Sequence, residues 1–221
     1  MSSPPAPEEA AKHLDADHAW RKSTAPQHDR LERTLALLPG GVRSVLDVGV
    51  GEGDWLRLLA ESRPGIELNA LDLSPQRLAD LEVTHEDGRA IGKHQGDVTK
   101  MPFEDGSIEV VTLLEVIEHV PDWEAAVTDA LRVAGRGVLI TVPYREMLQS
   151  TVCVHCHQPT PLWGHLHSYD ESAFDGFADR ARIAFKLIPR KPERADGLLR
   201  WLYRSLRPVT PWIAFWLEKR S

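Results

Sequence analysis

The segment Leu46-Asp47-Val48-Gly49-Val50-Gly51-Glu52-Gly53 decides the fold. It closes a short apolar run, SVLDVGV (44–50), and leads into a helix expected from about Trp55 to Ser62. Glycines at such a junction let the backbone turn tightly and approach a ligand without interference from a Cβ. Their G-x-G-x-G spacing differs from the dinucleotide fingerprint G-x-G-x-x-G, whose helix N-terminus cradles a pyrophosphate. With Asp47 beside it and neither Lys nor Arg within it, the loop suits a ligand that lacks phosphates.

Outward from this loop the text alternates. IELNALDLS (66–74) reads as a second strand ending at Asp72, where the ribose-binding acid of a nucleoside site sits. A carboxylate there can accept hydrogen bonds from two vicinal hydroxyls. Ser74-Pro75 starts a helix as N-cap and first-turn proline, running to about Glu82. A short strand at 92–95, a long apolar strand at 108–117, a helix at 122–133 and a buried strand at 137–143 follow. Alternation at this length implies a parallel α/β sheet with helices on both faces.

The flanks differ in character. Residues 1–7 read as a disordered tail and 8–40 as a helical cap, whose second piece puts Leu31, Leu35 and Leu38 on one face. The remaining domain, 41–221, carries a Cys/His-rich loop at 150–169 and then a helix at 172–182 and a strand at 183–188. An insertion at 190–211 holds a helix at about 197–206, and a final strand covers 212–217. Residues 197–217 combine aromatic and basic side chains, which suits either a solvated basic face over core aromatics or a dock for an anionic substrate or a membrane surface.

Composition sets limits. At 221 residues and 42% hydrophobic content the chain can bury one sizeable core. Lys plus Arg is 26 and Asp plus Glu 33, so 26 − 33 gives a net charge of −7, without the global positive field that draws a domain onto nucleic acid. Two cysteines are too few for a disulfide-stapled fold, no apolar run approaches a membrane span, and the N-terminus does not read as a signal peptide. These features predict a cytoplasmic protein. They leave its oligomeric state open.

Three stretches, LDVGVGEG (46–53), LDLS (71–74) and GDVTKMPFEDGSIEVVTLLEVIEHV (96–120), together resemble class I S-adenosylmethionine-dependent methyltransferases of the type 11/12 group, over roughly residues 40–145. The resemblance implies a Rossmann-like, seven-stranded, mostly parallel sheet with an antiparallel last strand. It implies S-adenosyl-L-methionine as cofactor, with Asp47, Gly49, Gly51 and Gly53 beneath its methionine and ribose portions. Asp72 and Leu73 would meet the ribose, Asp97 the adenine amino group, and Val98 the adenine ring. Val50 is a mild departure, since many relatives carry a small or polar residue there.

Glu115-Val116-Ile117-Glu118-His119 stands at the end of the fourth strand, the edge where open α/β sheets bind ligands. If the chain turns helical at Glu115, residues 115, 118 and 119 share a face. Two carboxylates and an imidazole converging there favour a cation among them, Mg²⁺ or Mn²⁺ by the carboxylates, iron or zinc by the imidazole. This E-x-x-E-H text resembles the ubiquinone-pathway O-methyltransferases and the small-RNA 2′-O-methyltransferases, which hold a divalent metal with these residues and a downstream histidine. His165 and His167 occupy that downstream region. The metal-free reading has Glu115 facing the cofactor's amino group and His119 acting as base. Cys153 and Cys156, in C-x-x-C spacing, offer with His165 and His167 a tetrahedral Zn²⁺ set; the other reading packs the cysteines in a lid.

The expected reaction is methyl transfer to a small-molecule acceptor, most simply a hydroxyl oxygen in a biosynthetic pathway, with His119 as general base and Glu115 beside it. An RNA 2′-O-methyltransferase fits the E-x-x-E-H text but is opposed by the acidic charge. A catalytically silent scaffold would predict a broken glycine loop, and the loop is intact.

Overall fold

The computed structural model describes residues 25–85, 87–153, 157–189 and 211–220. The expected tail (1–7), the first part of the helical cap, Cys156, the helix at 197–206 and all of the 190–211 insertion except Pro211 lie outside the described residues. The described chain begins with helix α1 (Ala25–Leu35), followed by strand β1 (Ser44–Val48). Leu31 and, beyond the helix, Leu38 are buried against the sheet, with Leu35 packed beside them, so the expected apolar face exists.

Helix α2 (Asp54–Ser62) buries Trp55, Leu56 and Leu59, the one-sided spacing of an amphipathic helix. Strand β2 (Glu67–Asp72) leads to helix α3 (Pro75–Asp80), where the Ser74 hydroxyl accepts from the Arg77 amide at 3.2 Å. Strands β3 (Gly92–Gln95) and β4 (Ile108–Leu114) follow. Helix α4 (Trp123–Val133) is capped by Asp122, which accepts from the Ala125 amide at 3.0 Å, and runs into β5 (Ala134–Pro143). A small hairpin, β6 (Ser150–Val152) and β7 (Pro159–Pro161), precedes the last two strands, β8 (Ala181–Ile188) and β9 (Trp212–Lys219).

The seven-stranded sheet has the order β3-β2-β1-β4-β5-β9-β8. Strands β1 to β5 are mutually parallel and β9 runs antiparallel to both neighbours, as the resemblance implies. Apolar clusters cover both faces, which explains why β1, β4 and β5 are nearly continuous apolar runs. Truncating a wholly buried member such as Leu59 to alanine costs about 2–5 kcal/mol. Among the described residues no helix is long and apolar enough to cross a membrane.

Two expectations are corrected. Residues 172–182 form no α-helix; they make turns with a single 3₁₀ turn at Asp175–Phe177, and β8 begins at Ala181. The Asp170 carboxylate takes both the Ser172 amide (2.9 Å) and hydroxyl (2.7 Å), favouring a turn over a helix. Phe174 and Phe177 then pack around Trp123, edge-on in the case of Phe174. The long strand expected to 117 stops at Leu114, because Glu115 takes a left-handed backbone at φ 59°.

Candidate active site

The carboxyl ends of β1, β2 and β4 build one half of the site. Gly49, Gly51 and Gly53 all adopt left-handed backbone, at φ 73°, 50° and 78°. A Cβ on Gly49 would lie 2.7 Å from Val116 and one on Gly53 would collide with the Leu81 side chain, whereas the space around Gly51 is open for 4 Å. The first and third glycines are thus fixed by packing, and the middle one faces room. The Asp72 carboxylate accepts from the Val50 amide (3.1 Å) and the Ser74 amide (2.9 Å), which pins the acid against the glycine loop. Asp97 is braced in the same way by the Thr99 amide and hydroxyl, both at 2.8 Å. Leu73 and Val98 remain half-buried beside these acids.

Asp47 is buried and accepts from the Thr112 hydroxyl at 2.8 Å. Burial pushes its carboxyl up to about 8, against the opposing Thr112 hydrogen bond, with Asp72 adding to the rise and Arg30 opposing it. Arg30 itself reaches in from α1. Its guanidinium donates to the Thr141 hydroxyl at 2.9 Å, lies 3.4 Å from the Glu115 carboxylate, and sits over the Trp212 ring, while its buried Nε has no hydrogen-bond partner among the described residues. Glu115 also accepts from the Trp212 indole (2.8 Å) and the Thr141 hydroxyl (3.2 Å).

The other half is built from the 3₁₀ turn Ile117–His119 and the loop after β7. Glu118 is completely buried, and neither of its carboxylate oxygens has a hydrogen-bond partner among the described residues. Burial, with the Glu115 charge adding to it, drives this carboxyl well above the usual carboxylate range; Arg30 opposes the rise. Potential ligand atoms of Glu118, His119 and His165 lie within 4.8 Å of one another. The two imidazoles meet edge to face at 4.9 Å. His119 Nδ1 is 3.3 Å from the Gly164 carbonyl, a donor role that makes Nε2 the basic nitrogen. Glu146 holds His165 through Nδ1 in the same sense.

The expected set is therefore only partly assembled. The single 3₁₀ turn, entered from left-handed backbone at Glu115, keeps 115, 118 and 119 from sharing a helix face, and Glu115 is absent from the close group. His167 Nε2 is committed to the Val120 carbonyl at 3.0 Å, so it ties the loop down instead of joining the cluster. Cys153 stands in the hairpin, its amide on the Gln158 carbonyl at 2.9 Å, and is not in the close group either; Cys156 lies outside the described residues. The loop does fold over the edge as expected, with the Leu166 amide on the Glu118 carbonyl at 2.7 Å. Sequence reasoning missed Arg30, Thr141, Glu146 and Trp212, which are brought in by packing and carry no local motif.

These residues fit S-adenosylmethionine by their chemistry. Two braced acids suit ribose and adenine, the open space at Gly51 admits a close ligand, and the buried guanidinium suits a carboxylate. Residues 46–142 match the family model of the methyltransferase domain. Over this stretch the chain is similar to methyltransferase domains, and its fold is that of S-adenosylmethionine-dependent methyltransferases of known structure. The chain is 28% identical over 158 residues to ubiquinone/menaquinone biosynthesis C-methyltransferase UbiE of Desulfotalea psychrophila, covering 68% of this chain and 64% of that one. It is 33% identical over 133 residues to ubiquinone biosynthesis O-methyltransferase of Cupriavidus pinatubonensis, covering 55% and 51%. It thus spans less than two thirds of the length of these curated relatives. An S-adenosylmethionine-dependent methyltransferase from Mesorhizobium loti has the same fold, with a TM-score of 0.62 at 16% identity, over 87% of this chain and 98% of that one.

Proposed function

We propose that the chain methylates a hydroxyl of a small-molecule acceptor, using S-adenosylmethionine. The observation that carries this reading is the meeting of Glu118, His119 and His165 at the sheet edge that also bears the glycine loop. When bound, the cofactor supplies an electrophilic sulfonium methyl. Asp72, Asp97, Leu73 and Val98 hold its nucleoside, and Arg30 takes its carboxylate. Asp47 and the glycines shape the floor beneath it. His119 Nε2 receives the hydroxyl proton as the oxygen–methyl bond forms and the methyl–sulfur bond breaks. Alignment of acceptor and methyl supplies much of the rate. Glu115 acts here by positioning, since its carboxylate orients Trp212, Thr141 and Arg30.

The alternative form of the proposal is a divalent cation held by Glu118, His119 and His165, in place of the wider set that included His167 and the cysteines; His119 Nε2 would then be a ligand and not the base. A buried carboxylate without hydrogen-bond partners among the described residues, next to two imidazoles, is a donor set for Mn²⁺, Fe²⁺ or Zn²⁺. Such an ion would act as a Lewis acid on the acceptor oxygen. The cytosolic setting is also part of this reading, supported by the low cysteine content.

Related chains that bear C- and O-methyltransferase names make the acceptor atom the point to test. Incubation with methyl-labelled cofactor and hydroxylated small molecules, followed by NMR of the product, separates O-methyl from C-methyl. His119→Ala should lower turnover by about 10²–10⁴ and leave S-adenosylhomocysteine binding unchanged. Methylation of RNA at a comparable rate would replace this reading with the 2′-O-methyltransferase one. Elemental analysis and chelator treatment decide the metal.

A further inference from the structure

The 3₁₀ turn Ile117–His119 is too short to fix its own shape. It closes two hydrogen bonds, from the His119 amide to the Val116 carbonyl (3.0 Å) and from the Val120 amide to the Ile117 carbonyl (3.1 Å). A single turn of this kind is weakly stable by itself, and this one is entered from left-handed backbone at Glu115. Its geometry has to be set from outside.

One strip of chain, residues 164–169, sets it. The Leu166 amide donates to the Glu118 carbonyl at 2.7 Å, and the Tyr169 hydroxyl donates to the Ile117 carbonyl at 3.0 Å. The His167 imidazole meets the Val120 carbonyl at 3.0 Å, and His119 Nδ1 meets the Gly164 carbonyl at 3.3 Å. The carbonyls of 117, 118 and 120 and the His119 ring are thus all held by one neighbour. The fit is close: a Cβ on Gly164 would stand 3.3 Å from His119 Nδ1.

Tyr169 is the fixed post of this strip. Gly164 and Leu166 are exposed and His167 is half-buried, whereas Tyr169 is 3% exposed. Its ring lies edge-on to Trp123 at 5.5 Å and parallel to Phe174 at 6.4 Å. Its carbonyl accepts from the Arg145 amide at 2.8 Å, and its backbone bridges to Tyr144, just past β5. A ring wedged in this way cannot follow the turn if the turn drifts. Its oxygen therefore sets where the Ile117 carbonyl sits.

We propose that Tyr169 is a positioning residue for His119. Through the Ile117 carbonyl it holds the turn so that the His119 Nδ1–H stays on the Gly164 carbonyl and Nε2 keeps its lone pair toward the acceptor. Tyr169 itself touches no reacting atom. Its ring serves the core, and its hydroxyl serves the turn. The proposal rests on the reading of His119 as the group that meets the acceptor, and it names what holds that group in place.

The test is side-chain ¹⁵N NMR of the full chain at alkaline pH, with His119 assigned among the ten histidines by the signal lost in His119→Gln. The parent should show His119 as the Nδ1–H tautomer. In Tyr169→Phe the share of the Nε2–H tautomer should rise by roughly twofold or more. Tyr144→Phe, which removes a hydroxyl bonded to Glu171 away from the turn, should leave the signal in place. The melting temperature of Tyr169→Phe should fall by no more than about 4 °C, the loss of one hydrogen bond in a chain of this size, and its S-adenosylhomocysteine affinity should match the parent's. A His119 signal unmoved by Tyr169→Phe, or moved as far by Tyr144→Phe, would overturn the proposal. So would a Tyr169→Phe chain that melts far lower or binds S-adenosylhomocysteine more weakly, since Tyr169 would then be a folding residue. The readout needs no acceptor, so a failure of hydroxyl methylation is told apart from a failure here.

Discussion

The Arg30 guanidinium, carried by α1, lies 3.4 Å from the Glu115 carboxylate at the end of β4, and Thr141 of β5 bonds to both. Three elements distant in sequence are fastened at one point beside the cofactor site. Arg30 is buried and Glu115 partly so, and losing either partner leaves the other charge uncompensated, which costs up to about 3 kcal/mol. Arg30→Met should therefore lower stability by roughly 2–3 kcal/mol in urea titrations and weaken S-adenosylhomocysteine binding. Glu115→Gln retains an oxygen to accept from Trp212 or Thr141 but strands the Arg30 charge, and should cost a similar roughly 2–3 kcal/mol. A negligible loss in Glu115→Gln would remove the charge pair as the reason.

Asp72 pins the Val50 and Ser74 amides, and in the proposed cofactor placement it would also meet the ribose. Asp72→Ala should weaken S-adenosylhomocysteine binding by about 1–3 kcal/mol. Asp72→Asn keeps an acceptor for one amide, so its thermal stability should lie closer to the parent than that of Asp72→Ala. Calorimetry and melting curves on both variants check this.

The three glycines should separate packing from ligand approach. Gly49→Ala and Gly53→Ala drive a Cβ into Val116 and Leu81 and should destabilise the chain measurably. Gly51→Ala meets open space and bears only the left-handed backbone cost of about 1–2 kcal/mol. It should fold and yet lose cofactor affinity. Unchanged S-adenosylhomocysteine binding by a folded Gly51→Ala chain would contradict the placement of the cofactor over this loop.

Asp47 gives a pH signature. Its carboxyl sits at about 8 in the folded chain and near 4 when unfolded. Between those values the folded state holds a proton that the unfolded state has lost. Its contribution is complete below about pH 4 and declines as pH rises toward 8, by up to about 1.4 kcal/mol per pH unit. Asp47→Asn should remove this decline. Urea melts of parent and variant at about pH 5, 6.5 and 8 should show a stability difference that shifts in favour of the variant as pH rises; a constant difference would contradict the assignment.

The half of the candidate site formed by the glycine loop, Asp72 and Asp97 was legible as geometry in the sequence because each stands at or just beyond the end of its own strand. Local chemistry there is also global position. The other half was less legible. Whether His165 or His167 joins His119 turns on one carbonyl, that of Val120, which captures His167. Glu115 left the expected helix face because its left-handed backbone serves a knot with Arg30, Thr141 and Trp212, none of them close to it in sequence. The helix expected at 172–182 failed for a related reason: its periodic apolar residues, Phe174 and Phe177, answer to Trp123 on another element. Spacing records local partners, and these partners were remote.

The antiparallel β9 sets an order of assembly. It slots between β5 and β8, and Trp212 at its start gives Glu115 its indole partner. A nascent chain that has emerged as far as Ile188 already contains the glycine loop, both nucleoside acids and the histidine pair. It still has β5 as a raw edge and a glutamate at the sheet's mouth without its indole, a state prone to pairing with other chains. Competence for the proposed methyl transfer should thus arrive abruptly, only when the strand that carries none of the proposed catalytic groups clicks into the gap.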